Sequence, residues 1–169
     1  MKNKHKLLLR LIALSFFIAI GVVISPILRI EGMCPTAHLV NITCAVILGP
    51  FYALACSLAT GILRMSLMGI PPLALTGSIF GALLSGILYK LSKSRIIWAV
   101  IGEILGTGII GSIISYPIMA FVWGTSGISL FYYTPMFLGA TIMGGTVAYI
   151  LLKSLAKSGA LQKIINNFN

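Results

Sequence analysis

Long apolar runs separated by short polar segments dominate this chain. The first run predicts a helix from about Leu7 to Leu28, with its end set by Pro26, because proline restricts the backbone of the residue before it. The next run, His38 to Leu67, is interrupted by the turn dipeptide Gly49-Pro50. Two short helices of roughly 12 to 17 residues are therefore expected there, about 18–25 Å long at about 1.5 Å per residue.

Three longer apolar stretches follow. They predict one helix that runs from the turn at residues 68–72 to Lys90, one from about Ile96 to Val122, and one from about Tyr133 to Leu152. A helix that crosses a hydrocarbon core of about 30 Å needs roughly 20 residues. The pattern therefore predicts an all-α integral membrane protein, a compact bundle of six transmembrane helices that forms a single domain over residues 1–169. The alternative is four crossings plus a re-entrant hairpin over His38 to Leu67.

The charge distribution predicts the orientation of this bundle. The chain is 59% hydrophobic and only 8% charged, against roughly 25% charged residues in soluble domains. Most lysines and arginines lie in three clusters, at residues 2–10, 90–95 and 153–163. Because basic residues are retained on the cytoplasmic side, both termini and the central cluster are expected to be cytoplasmic in a cell-membrane protein. The net charge of +10 then reflects topology and anionic lipid, and it needs no nucleic-acid partner.

The residues needed for several kinds of catalysis are missing. The sequence has no aspartate, and its two acidic residues are Glu31 and Glu103. This excludes a P-loop ATPase, a two-carboxylate hydrolase and most magnesium-dependent transferases. The three cysteines show no C-x-x-C spacing, and with only His5 and His38 as histidines a metal site would lack ligands. We therefore predict no enzyme and no cofactor, and we assign any ATP hydrolysis to other subunits.

Three side chains are candidates for binding a small molecule. His38 and Asn41 are three residues apart at the outer end of a predicted helix, so they share a face. They could cap that helix, or they could offer directed hydrogen bonds to a ligand. Tyr116 lies deeper than the aromatic residues expected at the membrane interface, Trp123 and Tyr132, and is the better candidate for stacking on a ring.

Two charged residues inside the apolar segments also need an explanation. Glu103 lies about 12 Å into its helix, where an acid is costly and is usually paired or functional. It could pair with Arg10 or a neighbouring hydroxyl, or it could serve in coupling or partner contact. Arg64 could pair with Glu31 or face a ligand.

Three sequence blocks carry a resemblance to a known family. PTAHLVNITCAVILGPFYA (Pro35 to Ala53), LTGSIFGALLSGILYKL (Leu75 to Leu91) and GEILGTGIIGSIISYPI (Gly102 to Ile118) resemble the thiazole-type substrate-binding (S) components of energy-coupling factor (ECF) transporters, the family called ThiW. The resemblance covers about residues 5 to 155 and keeps the order and spacing of the blocks. It implies a six-helix S component that captures a vitamin precursor from outside, namely hydroxyethylthiazole, the thiazole moiety of thiamine.

The resemblance also implies partners. An S component associates with a transmembrane T component and two ATP-binding-cassette ATPases, and it topples in the membrane to deliver its cargo. Helix 1 of such proteins docks on the T component through an A-x-x-x-A motif, whose nearest match here runs from Ser15 to Ala19. Gly21 and Ser25 are expected to continue a nearby small face, where another helix can approach closely. A thiazole alcohol is uncharged and needs an apolar wall with two or three hydrogen-bonding groups. His38, Asn41 and Tyr116 could supply these, with Thr107 as a deeper, weaker choice.

Two other classes of function remain open on the residues alone. The runner-up is a proton-coupled small-molecule exporter that uses Glu103 as its membrane-embedded proton site. A membrane enzyme acting on lipid intermediates is the third, and it would need an acidic metal cluster that the sequence lacks.

Overall fold

The chain folds into a bundle of helices. The structure, a computed structural model, describes residues 2–27 and 33–168, with the side chains of residues 4–27 and 33–168. No β-strand occurs within these ranges, so the all-α prediction is confirmed for them. In chain order the helices are α1 (Lys2–Ile24), α2 (Pro35–Leu48), α3 (Pro50–Met68), α4 (Leu73–Leu91), α5 (Ile96–Val122), α6 (Thr134–Lys157) and α7 (Ala160–Phe168).

Five of these helices, α1, α3, α4, α5 and α6, are long and apolar enough to cross a membrane. The exception among the predicted crossings is α2, which has 14 residues. A helix of that length spans only about 21 Å, less than a hydrocarbon core of about 30 Å. The structure therefore confirms a membrane-type helical bundle, while the sixth crossing and the cytoplasmic placement of both termini stay predictions.

The short helix α2 lies in the middle of the bundle. It packs against all six other helices, and nine of its residues are buried. Because protein surrounds it, the unpaired backbone N–H and C=O groups at its two ends are not exposed to the hydrocarbon of the bilayer. Burial inside the bundle thus explains how an apolar helix too short to span the membrane is accommodated.

The predicted break between α2 and α3 is confirmed. Gly49 has φ +94° and ψ 175°, a conformation that is essentially restricted to glycine, and Pro50 starts α3 where its missing N–H costs nothing. The predicted length of α3 was too short, since this helix has 19 residues. It continues to Met68 because the next stop is Gly69, which ends the helix in the left-handed conformation at φ +61°.

The outer boundaries of the bundle differ from the prediction at both ends of the chain. Helix α1 starts at Lys2 rather than Leu7 and ends at Ile24, just before Pro26. The predicted end at Leu28 lies outside the described residues. Helix α6 continues past the predicted Leu152 to Lys157, and the amphipathic helix α7 was not predicted. It packs its apolar side, including Leu161, into the bundle.

Helix α5 has the predicted bounds but is not regular along its length. Two stretches, Ile104–Gly111 and Ile118–Val122, are wound as π-helix, a form that occurs mostly as short insertions in α-helices. The second stretch follows Pro117, whose ring lacks the amide hydrogen that a regular helix needs. The first stretch lies against α4 and α6 and contains the predicted site residue Thr107.

Basic residues gather at one end of the bundle. Arg10 of α1 donates from Nε to the carbonyl of Phe168 in α7 at 2.7 Å, and its guanidinium lies 5.9 Å from the centre of the Tyr52 ring. Arg10 and Lys90 line the same cavity. The structure therefore brings the first two basic clusters together with the C-terminal helix, as the predicted cytoplasmic face requires.

The predicted orientation can be tested with two matched cysteines. In a Cys34→Ser background, Ser126→Cys adds a thiol to the exposed loop between α5 and α6, and Ser158→Cys adds one to the exposed turn between α6 and α7. We expect a membrane-impermeant maleimide to label position 126 in intact cells, and position 158 only after permeabilisation. The background protein controls for the buried Cys44 and Cys56. Labelling of position 158 but not of position 126 in intact cells would show that the orientation is the reverse of the predicted one.

Candidate functional site

A buried carboxylate is the centre of the most polar region inside the bundle. The Glu103 side chain on α5 is fully buried. Its Oε1 atom lies 2.8 Å from His38 Nδ1, 3.1 Å from Asn41 Nδ2 and 3.3 Å from Thr107 Oγ1. The amide and the hydroxyl donate to the carboxylate, and the imidazole donates when its proton is on Nδ1. Three donors on one oxygen offset much of the cost of placing a carboxylate in an apolar environment.

Local helix geometry explains why these four side chains meet. His38 and Asn41 are i and i+3 on α2, and Glu103 and Thr107 are i and i+4 on α5, so each pair lies on one helix face. The two faces meet where α4 passes close by at Gly81. A Cβ atom at Gly81 would lie 2.8 Å from Glu103 Cδ and would overlap Thr107 Oγ1. Only glycine lets α4 approach at this point without displacing the carboxylate.

The hydrogen-bonded group continues into α3 and α4. Asn41 Nδ2 also lies 3.5 Å from the carbonyl of Ser78, and Ser57 Oγ donates to Ser78 Oγ at 2.8 Å. The second carboxylate oxygen, Glu103 Oε2, makes no hydrogen bond to a described residue. Polar side chains thus connect α2, α3, α4 and α5, while Glu103 Oε2 remains an acceptor without a partner among the described residues.

A cavity lies beside this polar group. It opens among the start of α2, the end of α3 and the starts of α4 and α6, at the end of the bundle opposite the basic residues. The space that no atom fills is ≈ 620 Å³, a volume that includes the open solvent at its mouth. Most of the lining is apolar, and its members are Met33, Cys34, Ala37, His38, Arg64, Ile70, Pro71, Leu73, Ala74, Gly77, Thr107, Phe137 and Ala140.

Arg64 contributes a charge to this cavity. The residue is 5% exposed, and its Nη2 donates to Cys34 Sγ at 3.6 Å. Its Nε makes no hydrogen bond to any described residue. The structure therefore places Arg64 on the cavity wall, in agreement with the possibility that it faces a ligand. The alternative pairing with Glu31 falls outside the described residues.

One comparison with known proteins identifies the family. The model of the thiamine-precursor transporter protein family (ThiW) matches residues 11–158. The chain belongs to the ThiW family. It is therefore a multi-pass cell-membrane protein with a role in transport rather than catalysis. Searches of curated proteins and of solved structures gave no match.

Not all predicted binding residues of this ThiW protein meet at the cavity. His38 and Thr107 line it, whereas Asn41 lines a smaller adjoining space of ≈ 260 Å³. Tyr116 lines neither of them, and its ring makes an edge-to-face contact with Phe121 at 6.4 Å between centroids. The structure thus groups His38, Asn41 and Thr107 around Glu103 and leaves Tyr116 apart.

Of the alternatives given for Glu103, pairing with Arg10 was wrong, because Arg10 lies at the basic end and donates to the Phe168 carbonyl. The neighbouring hydroxyl that was the alternative is Thr107. Sequence reasoning did not connect His38 and Asn41 with Glu103, and it missed Phe137 and Ala140 on the cavity wall. Phe137 and Ala140 are three residues apart near the start of α6, and this spacing, which places them on one helix face, was the signal available in the sequence.

The small residues of α1 fall on two different faces of the ThiW chain. Ser15 and Ala19 are exposed. Gly21 and Ser25 are buried, and a Cβ at Gly21 would lie 3.0 Å from the Thr60 side chain. The expectation that Gly21 and Ser25 extend an outward small face was therefore wrong, since the close approach there is to the protein's own α3. Of these four small residues, Ser15 and Ala19 are the two on the exposed surface of α1.

The close approach of α4 to the carboxylate can be tested with Gly81→Ala. We expect this change to lower the midpoint of thermal unfolding in detergent, because the added methyl displaces Glu103 or Thr107. Each buried donor that loses its acceptor in this way lowers the free energy of unfolding by about 1–3 kcal/mol. Gly139→Ala is the matched control. Its methyl would meet only the flexible Met33 side chain, at 3.2 Å, and alanine favours a helix by up to about 1 kcal/mol. Equal stability of the two variants would contradict this account of the packing.

Proposed function

We propose that this ThiW protein is the substrate-capture subunit of an ECF-type importer and that it binds hydroxyethylthiazole from outside. The observation that supports this most is the cavity, which combines an apolar wall with the polar groups of His38 and Thr107. It lies opposite the basic end, so the predicted orientation has it open outward. A small heterocyclic alcohol needs this combination of surfaces.

The hydrogen bond to Glu103 gives His38 a defined role in this proposal. It holds the imidazole through Nδ1, which leaves Nε2 as the nitrogen that can bond a ligand. When the proton of a neutral ring is on Nδ1, Nε2 is an acceptor and suits the hydroxyl of a thiazole alcohol. Phe137 adds an aromatic surface on which a heterocycle can pack.

Delivery of the ligand requires further subunits in this proposal. The sequence contains no G-x-x-x-x-G-K-[ST] motif, so the energy of ATP has to come from ATPases in trans through a T component. Helix α1 is the least buried of the five membrane-length helices, since only 6% of the residues in its apolar segment are buried. Ser15 and Ala19 on its free side allow close approach of another helix.

The proton-coupled exporter has less support from the geometry. Glu103 does not line the cavity, and one of its oxygens already accepts three hydrogen bonds. A carboxylate that exchanges protons with a transported ligand needs access to that ligand. The enclosed position of Glu103 favours an organising role.

Calorimetry of the purified protein tests the ligand. We expect hydroxyethylthiazole to bind, and His38→Ala to weaken binding by about 5- to 150-fold, the equivalent of about 1–3 kcal/mol for a lost buried hydrogen-bond partner. His5→Ala removes the other histidine, which is exposed at the start of α1, and should leave affinity unchanged. Unaltered affinity in a thermally stable His38→Ala protein would remove His38 from the binding site.

Co-purification tests the docking of α1. The double variant Ser15→Leu with Ala19→Leu keeps α1 apolar but fills the surface that a partner helix would use. We expect it to bind ligand normally, yet to lose the T component in pull-down and to lose uptake. Thr146→Leu, on the exposed side of α6, is the control. Normal uptake by the double variant would contradict docking of the T component at Ser15 and Ala19. Lost ligand binding would mean that these residues pack within the bundle.

A further inference from the structure

The described residues accept few of the hydrogen bonds that Arg64 can donate. A guanidinium carries five N–H donors and is always charged. Among the described residues, the one side-chain partner of Arg64 is the thiol of Cys34, a weak acceptor, and its Nε atom has no partner. The side chain is nevertheless buried and forms part of the cavity wall.

The charge of Arg64 is also unbalanced in the described part of the chain. The sequence has two carboxylates, and Glu103 is committed to His38, Asn41 and Thr107. No described carboxylate forms an ion pair with Arg64. A buried cation without a counter-ion is costly, and such groups are normally paired or bind an anion. The second carboxylate, Glu31, lies outside the described residues and has to be tested directly.

We propose that the preferred ligand of this cavity is a thiazole that also carries an oxyanion, a phosphate or a carboxylate, and that this group binds to Arg64 more tightly than the free alcohol binds the cavity. This inference rests on the proposed function, because it assumes that the cavity takes a thiazole. The two polar sides of the cavity differ in kind. His38 and Thr107 offer neutral hydrogen bonds from α2 and α5, while Arg64 offers a charge from α3. The planar guanidinium fork matches two oxygens of one oxyanion, and such charge-assisted bonds are about twice as strong as neutral ones.

The inference predicts a ranking of three compounds in calorimetry with the full-length protein. These are hydroxyethylthiazole, its phosphate monoester, and the thiazole acetate in which a carboxylate replaces the alcohol. We expect at least one anion to bind about 10- to 100-fold more tightly than the alcohol. Which of the two binds more tightly distinguishes a phosphorylated from an oxidised ligand.

Matched variants connect this preference to Arg64. Arg64→Gln should erase the preference for the anion while the alcohol keeps its affinity within about 3-fold, and Arg64→Lys should give an intermediate result because it keeps the charge without the fork. Arg95→Gln, which removes an exposed arginine at the start of α5, should keep the preference and so excludes an effect of net charge. The ranking of the three compounds by the wild-type protein needs no variant, so it decides the matter even when Arg64→Gln fails to fold.

Three results would overturn the inference. An alcohol that binds wild-type protein as tightly as both anions rejects the oxyanion and leaves the proposed thiazole function standing. An anion preference that appears only in Glu31→Gln assigns Arg64 to Glu31 instead of the ligand. Failure of all three compounds to bind rejects the thiazole function together with the inference.

Discussion

The hydrogen bonds to one buried carboxylate determine how the central helices pack. Glu103 is fully buried in a segment that is apolar enough to lie in lipid, so its charge or its proton has to be satisfied by protein. His38 and Asn41 from α2 and Thr107 from α5 provide the donors at Oε1. The rotation of α2 and α5 about their axes follows from this contact, and Gly81 allows α4 to lie against it.

The hydrogen bonds to Glu103 also explain the position of the short helix α2. A free apolar helix of 14 residues has no stable position across a bilayer, because its end groups would lie in hydrocarbon. Surrounded by the six other helices and bonded to Glu103, it instead supplies one wall of the cavity. The imidazole of His38 belongs both to the buried polar group and to that wall. Packing of the bundle and shape of the binding site are therefore determined by the same side chains.

Features encoded over short stretches of chain could be predicted from the sequence. The bounds of α5 and the break at Gly49-Pro50 follow from apolar run lengths and from turn chemistry, and both agree with the structure. The shared face of His38 and Asn41 follows from helical spacing. These signals are local, so a single sequence carries them without knowledge of which helices are neighbours.

Contacts between distant segments could not be predicted in this way. Glu103 meets residues 62 and 65 positions away, and a periodic pattern does not say which helix an apolar face will meet. For the same reason Arg10 looked like a partner of Glu103, and Gly21 looked like part of an outward face. Helix α7 is a different case, because Leu161, Ile165 and Phe168 recur at helical spacing and a local signal was therefore available. It was missed because the short segment, with its lysine and amides, was taken for a polar tail.

The most direct test of the central claim is a double-mutant cycle between His38 and Glu103. Each residue is changed to alanine, alone and together, and the free energy of unfolding is measured in detergent under reversible conditions. If the two side chains bond in the native bundle, the double variant should lose less stability than the two single variants combined, by about 1 kcal/mol or more. Effects that add to within about 0.5 kcal/mol would contradict the bond that this account places at the centre of the structure.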